Sequence, residues 1–192
     1  MKVETIETFC PKTIQEWRQW LQINHLSKQS VWLIYYKKKS STPSIIWSEA
    51  VDQALCFGWI DSTSKPIDNE KYMQFFSKRK PKSVWSKINK LKVQQLINAQ
   101  IMAPAGLQSI ALATQNGSWT ILDDVEDIKI PKDLDAAFKK YIGSKKYFLS
   151  LSKSVKKAIL QWLVLAKKVD TRQKRIKEIA MLAAKNQKPK QF

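Results

Sequence analysis

Residues 48–64, which read SEAVDQALCFGWIDSTS, decide the fold because they place a helix directly before a strand. Ser48 followed closely by two acidic residues is typical of a helix N-terminus. Val51 and Leu55 lie one helical turn apart, and Gly58 ends the pattern. The β-prone residues after the glycine indicate that the chain then turns back as a strand.

The segments on either side of this stretch supply the rest of a small sheet. Residues 31–36 are β-branched and aromatic, which is typical of a buried strand. Residues 59–64 and 71–77 are predicted to be two strands joined by a turn rich in Pro, Asp and Asn. With a first helix over residues 13–26, this part is predicted to be an α+β fold, a small antiparallel sheet packed with helices.

Two more helices are expected before residue 118. The first runs over residues 83–100 and is capped by Ser83. Four of its side chains are predicted to point inward: Val84, Trp85, Ile88 and Leu91. The second begins at Pro104, where proline is tolerated in the first turn, and its apolar spacing is carried by Leu107, Ile110, Ala111 and Thr114.

The last third of the chain is predicted to be all helical, because apolar residues recur at helical spacing in three separate segments. These segments are 134–141, 155–166 and 176–183. The predicted organisation is an α+β domain over 1–118, a connector over 119–131, a helical basic domain over 132–187 and a disordered tail over 188–192.

The charge of the chain is strongly positive and uneven. Its 192 residues include 34 Lys plus Arg against 16 Asp plus Glu, for a formal net charge of +18. Residues 137–192 hold 16 bases and two acids, and residues 77–119 hold seven bases and no acid. Such a surface attracts polyanions through counterion release. Because 30 of the 34 bases are Lys, the alternative is a solvated surface without a binding role.

Several protein classes are excluded by what the sequence lacks. Four scattered glycines cannot form a glycine-rich phosphate loop. Cys10 and Cys56 have neither metal-ligand spacing nor a disulfide framework, so we expect no metal, no cofactor and a reducing cytoplasm. No apolar run approaches the roughly 18 residues that span a bilayer, and the opening MKVETIETF is unlike a signal peptide. No catalytic residues are assigned.

A candidate ligand-binding pocket lies around the predicted hairpin. If its two strands pair, Asp61 comes close to the basic segment that follows the second strand. A carboxylate beside basic side chains and between aromatic walls is a common small-ligand arrangement. The alternative is an architectural Asp–Arg pair with tryptophans filling the core. The residues of this candidate pocket are Trp59, Asp61, Arg79, Lys80, Trp85 and Asn89.

A candidate anion-binding site lies at the start of the last predicted helix. Asp170 or Thr171 is expected to cap that helix, which places Arg172 and Arg175 near its N-terminus. Backbone N–H groups and guanidinium groups together bind anions well, so Thr171, Arg172 and Arg175 are the candidate residues. The alternative is a salt bridge, for example to the acidic run over residues 123–127.

Three motifs carry a resemblance to a known family. They are EAVDQALCFGWID over 49–61, RKPKSVWSKIN over 79–89, and TRQKRI over 171–176 with AMLAA over 180–184. With these motifs the sequence resembles the YdeI/OmpD-associated family, also called the bacteriocin-protection family, over nearly the whole chain. The resemblance implies a role in protection against bacteriocins or antimicrobial peptides and supplies no catalytic residue set.

The charge argues against direct capture of cationic peptides, because like charges repel. The main hypothesis is therefore a non-catalytic cytoplasmic binding or stress-protection protein that binds a small polar ligand or an anionic partner, such as nucleic acid or an acidic surface. One alternative is nucleic-acid binding through the basic C-terminal helices. A second is an enzyme of unrecognised type with Asp61 as base and Arg79 as its electrostatic partner.

Overall fold

The structure is a computed structural model that describes residues 6–192. The chain divides into two compact units, the first ending at Trp119 and the second running over Thr120–Phe192. The first unit combines a sheet with helices and the second is helical, which confirms the predicted α+β fold.

The first unit alternates strands and helices up to a β-hairpin and ends in two helices. Its elements are β1 (Thr8–Phe9), α1 (Ile14–Asn24), β2 (Ser30–Tyr36), α2 (Trp47–Cys56), β3 (Trp59–Pro66), β4 (Lys71–Lys78), α3 (Lys87–Asn98) and α4 (Pro104–Gln115). The two-residue strand β1 is missing from the sequence prediction because a segment that short shows no periodicity.

The described part of the first unit forms a four-stranded sheet in the order β1-β2-β4-β3. β4 is antiparallel to both β2 and β3, and β1 is parallel to β2. The predicted hairpin of β3 and β4 is therefore present, with an irregularity in β3 between Asp61 and Ser64. In β2, Val31, Leu33 and Tyr35 are buried while the alternate residues are half-buried, as expected of a strand with one core face.

The core of the first unit lies between that inner sheet face and the helices. Trp17 and Leu21 of α1 and Ala54 and Leu55 of α2 are fully buried there. Trp17 packs edge-on against Phe76 of β4, with ring centroids 5.4 Å apart. The burial of Val51, Ala54 and Leu55 confirms the predicted apolar spacing of α2.

Two predicted helix starts in the first unit are wrong. α2 begins at Trp47 rather than after a Ser48 cap, and its N-cap residue is Ile46. α3 begins at Lys87, where the hydroxyl of Ser86 accepts a hydrogen bond from the Asn89 N–H. The chain before it makes a turn instead, in which the Ser83 N–H donates to the Lys80 carbonyl at 2.8 Å.

The later start of α3 also changes which side chains point inward. Trp85 is buried but lies before the helix, whereas Ile88 and Leu91 are 67% and 57% exposed. The buried residues of α3 are Val93 and Leu96 instead. In α4, too, the predicted stripe differs from the observed one: its buried residues are Gly106 and Ala113.

The second unit is built from helices alone in the described residues. Its elements are α5 (Asp123–Glu126), α6 (Lys132–Lys140), α7 (Ser144–Ser150), α8 (Lys153–Val164) and α9 (Val169–Ala184). Leu134 and Phe138 of α6 and Phe148 of α7 are buried, as are Ile159 of α8 and Ile176 of α9.

Both the predicted connector over residues 119–131 and the predicted tail over residues 188–192 make contacts with α8. The short helix α5 lies within residues 119–131, and its Glu126 forms an ion pair with Lys157. Near the C-terminus, the ring of Phe192 packs edge-on against Trp162, with centroids 5.9 Å apart. Among the described residues, none of the helices combines the length and apolarity that crossing a membrane requires.

Candidate ligand-binding cleft

A cleft of about 440 Å³ opens in the first unit where four parts of the chain meet. These are the end of α1, the turn between α2 and β3, the end of β4, and one face of α4. The residues that line it are His25, Leu26, Phe57, Gly58, Lys78, Arg79, Ala105, Gln108, Ser109, Ala111, Leu112 and Gln115. This lining is basic, and none of these described residues is acidic.

Arg79 is the residue of this cleft with the most unusual surroundings. Its guanidinium lies over the Trp85 ring, with 3.7 Å between Cζ and the ring centroid, and its Nη2 donates to the Val84 carbonyl at 2.7 Å. Its Nε is buried and lacks a hydrogen-bond partner in the part of the chain that the structure describes. A buried unpaired donor is costly, so the stacking on Trp85 must help to hold the side chain in place.

The charge of Arg79 is only weakly compensated within the protein. Burial lowers the pKa of Arg79 to about 10, and the attraction of Asp61 offsets only part of this shift. Among residues 6–192, no carboxylate forms an ion pair with Arg79. A positive group that is desolvated but not neutralised favours the approach of a negative ligand.

Lys78 and His25 place two further nitrogen-bearing side chains at the cleft. The Lys78 amino group donates to the Leu26 carbonyl at 2.6 Å, which leaves two of its three N–H bonds for other acceptors. The Nδ1 of His25 lies 2.9 Å from the Leu21 carbonyl. The imidazole of His25 packs against Phe57, with ring centroids 5.1 Å apart.

Two glycines hold α4 close to the rest of the cleft. Gly58 has a φ of +72°, and a Cβ there would lie 3.0 Å from the Ala105 carbonyl oxygen. At Gly106 a Cβ would lie only 2.2 Å from the Cys56 carbonyl oxygen. The Ala103 N–H donates to that same carbonyl at 3.0 Å. The start of α4 is therefore held against the end of α2 at Cys56, next to the turn that contains Gly58.

Asp61 lies in a polar cluster of its own rather than against Arg79. Its Oδ2 accepts hydrogen bonds from the Trp47 indole at 3.1 Å and from the Gln74 amide at 3.0 Å. The nearby Tyr35 hydroxyl is buried without a hydrogen-bond partner among the described residues. Burial raises the pKa of Tyr35, and the charge of Asp61 raises it further.

The structure therefore distributes the six predicted pocket residues over different environments. Arg79 and Trp85 are stacked together, while Trp59 is fully buried in the core and its indole donates to the His25 carbonyl. Lys80 is exposed, and the Asn89 backbone belongs to the cap of α3. Of the six, Arg79 lines the cleft and Trp85 supports it.

The arginines of the predicted C-terminal anion site have partners within the second unit. Arg172 donates from Nε and Nη2 to the two carboxylate oxygens of Asp133, at 2.7 and 3.0 Å. Arg175 stacks on Trp162 and donates to its backbone carbonyl. The N-cap of α9 is Lys168, so Thr171 lies inside the first turn. For Arg172 this arrangement corresponds to the alternative prediction of a salt bridge. The acidic partner is Asp133 and not a residue of the 123–127 run.

Sequence reasoning missed the α4 side of the cleft. Gln108, Ser109, Leu112 and Gln115 lie at helical spacing on one face of α4 and are mostly polar or small. A polar stripe is the usual sign of a solvated helix face, and the sequence contains no signal that this stripe faces Arg79.

Comparison with protein families gives two matches in different parts of the chain. Residues 9–109, just over half of the chain, match a family described as a domain of unknown function (DUF8412). Residues 127–186 match a family described as "Bacteriocin-protection, YdeI or OmpD-Associated". The comparisons with curated proteins and with solved structures found no significant match.

The second match confirms the family suggested by the sequence motifs, but over a narrower range than expected. The motifs at 49–61 and 79–89, which also suggested it, lie inside the other match. The chain thus belongs to the DUF8412 domain family through its first unit, and over residues 127–186 it carries the YdeI/OmpD-associated, bacteriocin-protection domain.

Proposed function

We propose that the first unit binds a small anionic ligand, through a phosphate or a carboxylate group, in the cleft lined by Arg79. The observation that carries this proposal is the Arg79 side chain, which is stacked on Trp85, has a buried and unpaired Nε, and forms no ion pair with a carboxylate among the described residues. Planar guanidinium groups suit both phosphate and carboxylate oxygens.

The other groups of the cleft support the same ligand class. Lys78 adds a second positive charge, while Ser109 and the two glutamines add neutral hydrogen-bonding groups. The Nη1 of Arg79 is neither hydrogen-bonded nor buried within the described chain, so it is the N–H group that an entering anion meets. Such a ligand would supply the negatively charged partner that Arg79 lacks among the described residues.

This binding activity is proposed to serve a protective, non-catalytic role in the cytoplasm. The match of residues 127–186 to a family named for bacteriocin protection supports the protective role. A formal net charge of +18 disfavours direct capture of cationic peptides, so protection would depend on an anionic ligand or partner. Cys10 and Cys56 are both free thiols, which suits a reducing compartment.

The test is calorimetric titration of the full chain with inorganic phosphate and, separately, with acetate. We expect the anion of the preferred class to bind with a dissociation constant of about 1 mM, typical of a small ligand held by few contacts. Arg79→Met should abolish this binding, because methionine can still pack on Trp85 but has no charge and no N–H donors.

The matched control is Lys80→Met, which removes the same charge from the exposed neighbouring residue. It should bind the anion as the unmodified chain does. Equal weakening by both substitutions would show that only the general positive charge attracts the anion. Unchanged binding by Arg79→Met, or no binding of either anion to the unmodified chain, would also overturn the proposal.

A further inference from the structure

The outer face of the first unit's sheet carries aromatic rings on its two central strands. Trp32, Ile34 and Tyr36 of β2 alternate with the buried residues of that strand, and Met73 and Phe75 of β4 lie beside them. Trp32 and Phe75 are directly paired across the strands, with ring centroids 5.0 Å apart. All five side chains are half-buried.

Two lysine side chains lie over rings of this face. The Lys65 amino group lies over the Trp32 ring, 4.9 Å from its centroid, and that of Lys71 lies 5.9 Å from the centroid of Tyr36. Within the described strands β2 and β4, none of the residues on this face is acidic. The face therefore combines flat apolar rings with two positive charges, of which that of Lys71 also forms an ion pair with Asp68 at 3.3 Å.

We propose that this outer sheet face binds single-stranded nucleic acid. Unpaired bases stack on Trp32 and Phe75, and Lys65 contacts the backbone phosphates. Lys71 exchanges its partly exposed ion pair with Asp68 for a phosphate. Aromatic rings on neighbouring strands beside lysines are the two components that sequence-tolerant single-strand binding requires. The rings distinguish this partner from duplex DNA, whose bases are already stacked and unavailable to the sheet.

The position of Lys65 is compatible with this role. Its side chain is exposed and rests on Trp32 through a contact that is weak at solvent-exposed sites. Lys65 forms no ion pair within residues 6–192, so it can swing from the ring to a phosphate without breaking one. An incoming base can then take its place on the indole.

The test measures fluorescence anisotropy of a labelled oligothymidylate of about 15 nucleotides, a length suited to single-strand sites, titrated with the full chain at low and at physiological salt. A duplex of the same length is titrated in parallel. We expect the single strand to bind more tightly than the duplex. Trp32→Leu and Phe75→Leu, which keep an apolar side chain on the sheet, should each weaken single-strand binding about tenfold.

Trp47→Leu is the matched control, because Trp47 is 48% exposed and belongs to α2, not to the strands that carry Trp32 and Phe75. It should leave the affinity unchanged. Lys65→Met together with Lys71→Met should weaken binding and reduce its dependence on salt. Arg79→Met should have little effect, so this proposal and the anion cleft can fail independently.

Two results would overturn the inference. Equal binding of duplex and single strand, with no loss in the Trp32→Leu and Phe75→Leu variants, would assign the interaction to general positive charge. Absence of oligothymidylate binding at low salt would exclude the surface as a nucleic-acid site. Circular dichroism of each variant would show whether the sheet is intact, and Phe75→Tyr, which keeps a stacking ring, should retain the affinity.

Discussion

Arg79 in the first unit and Arg175 in the second are each stacked on a tryptophan and each donate to a nearby backbone carbonyl. The guanidinium carbon lies 3.7 Å from the Trp85 ring centroid in one case and 4.6 Å from that of Trp162 in the other. Their surroundings differ. Arg79 has a buried, unpaired Nε, whereas among the described atoms Arg175 has no nitrogen that is both buried and unpaired. The neighbouring Arg172 is held by Asp133.

This difference shows that an arginine beside a tryptophan has no fixed role. In the second unit the arginines stabilise contacts between helices, since their partners belong to α6 and α8. In the first unit the same type of pair lines a cleft and carries a charge that the protein leaves largely uncompensated. The surroundings of the pair decide its availability to a ligand.

The largest expected effect is the loss of stability when the tryptophan of either pair is replaced by alanine. Trp85 is 1% exposed, so Trp85→Ala should lower the free energy of unfolding by about 3–5 kcal/mol, as for other buried aromatic truncations. Trp162 is only half-buried, so Trp162→Ala should cost roughly 1–2 kcal/mol. Urea unfolding of the full chain measures both. Equal losses of unfolding free energy would show that the two pairs contribute equally to stability.

A second comparison uses glycines with left-handed backbone conformations, one in each unit. Gly58 and Gly143 have φ of +72° and +82°, so alanine is strained at both. Gly143→Ala should cost about 1 kcal/mol, since its Cβ enters open space. Gly58→Ala should cost roughly 2–3 kcal/mol, because its Cβ also meets the Ala105 carbonyl. It should weaken anion binding too, because the added Cβ pushes Ala105, which lines the cleft, away from Arg79.

The smallest expected effect is the loss of stability when the ion pair of Arg172 with Asp133 is removed, and its size depends on pH. Hydrogen bonds from Arg172 hold the pKa of Asp133 below its usual value. The folded state therefore gains stability from this ion pair above about pH 4, where the unfolded carboxyl ionises, and loses it as the pH falls through the lower folded pKa.

Asp133→Asn should remove about 1 kcal/mol of stability at neutral pH, which is typical of a partly exposed ion pair. Its unfolding free energy should then fall less steeply with acid than that of the unmodified chain. Thermal unfolding across a pH series measures this slope. Parallel curves for the two proteins would show that Asp133 does not contribute to the acid sensitivity.

The sequence predicted the parts of the fold whose signals are local. The strand over residues 31–36, the hairpin that follows α2, and the buried stripe of α9 all follow from periodicity and turn residues. The start of α3 was missed because Ser83 and Ser86 are equally good caps, and the structure uses the later one, with Trp85 buried before the helix.

The candidate site was predicted only in part, because its members are far apart in the chain. The short Arg79–Trp85 segment was identified from residue types that are unusual together. Asp61 was placed beside Arg79 on the assumption of a regular hairpin, yet its hydrogen bonds go to Trp47 and Gln74. The contribution of α4 depends on how that helix packs on α2, which no local pattern encodes.

The contact between Gly106 and the Cys56 carbonyl has a consequence for recognising related chains. Any side chain at position 106 would collide with that carbonyl and push α4 away from the turn that contains Gly58. A chain that shares the cleft should therefore have glycine at both positions as well as an arginine and a tryptophan spaced as Arg79 and Trp85 are. The four residues together form a search pattern that selects for the cleft itself and not merely for the fold around it.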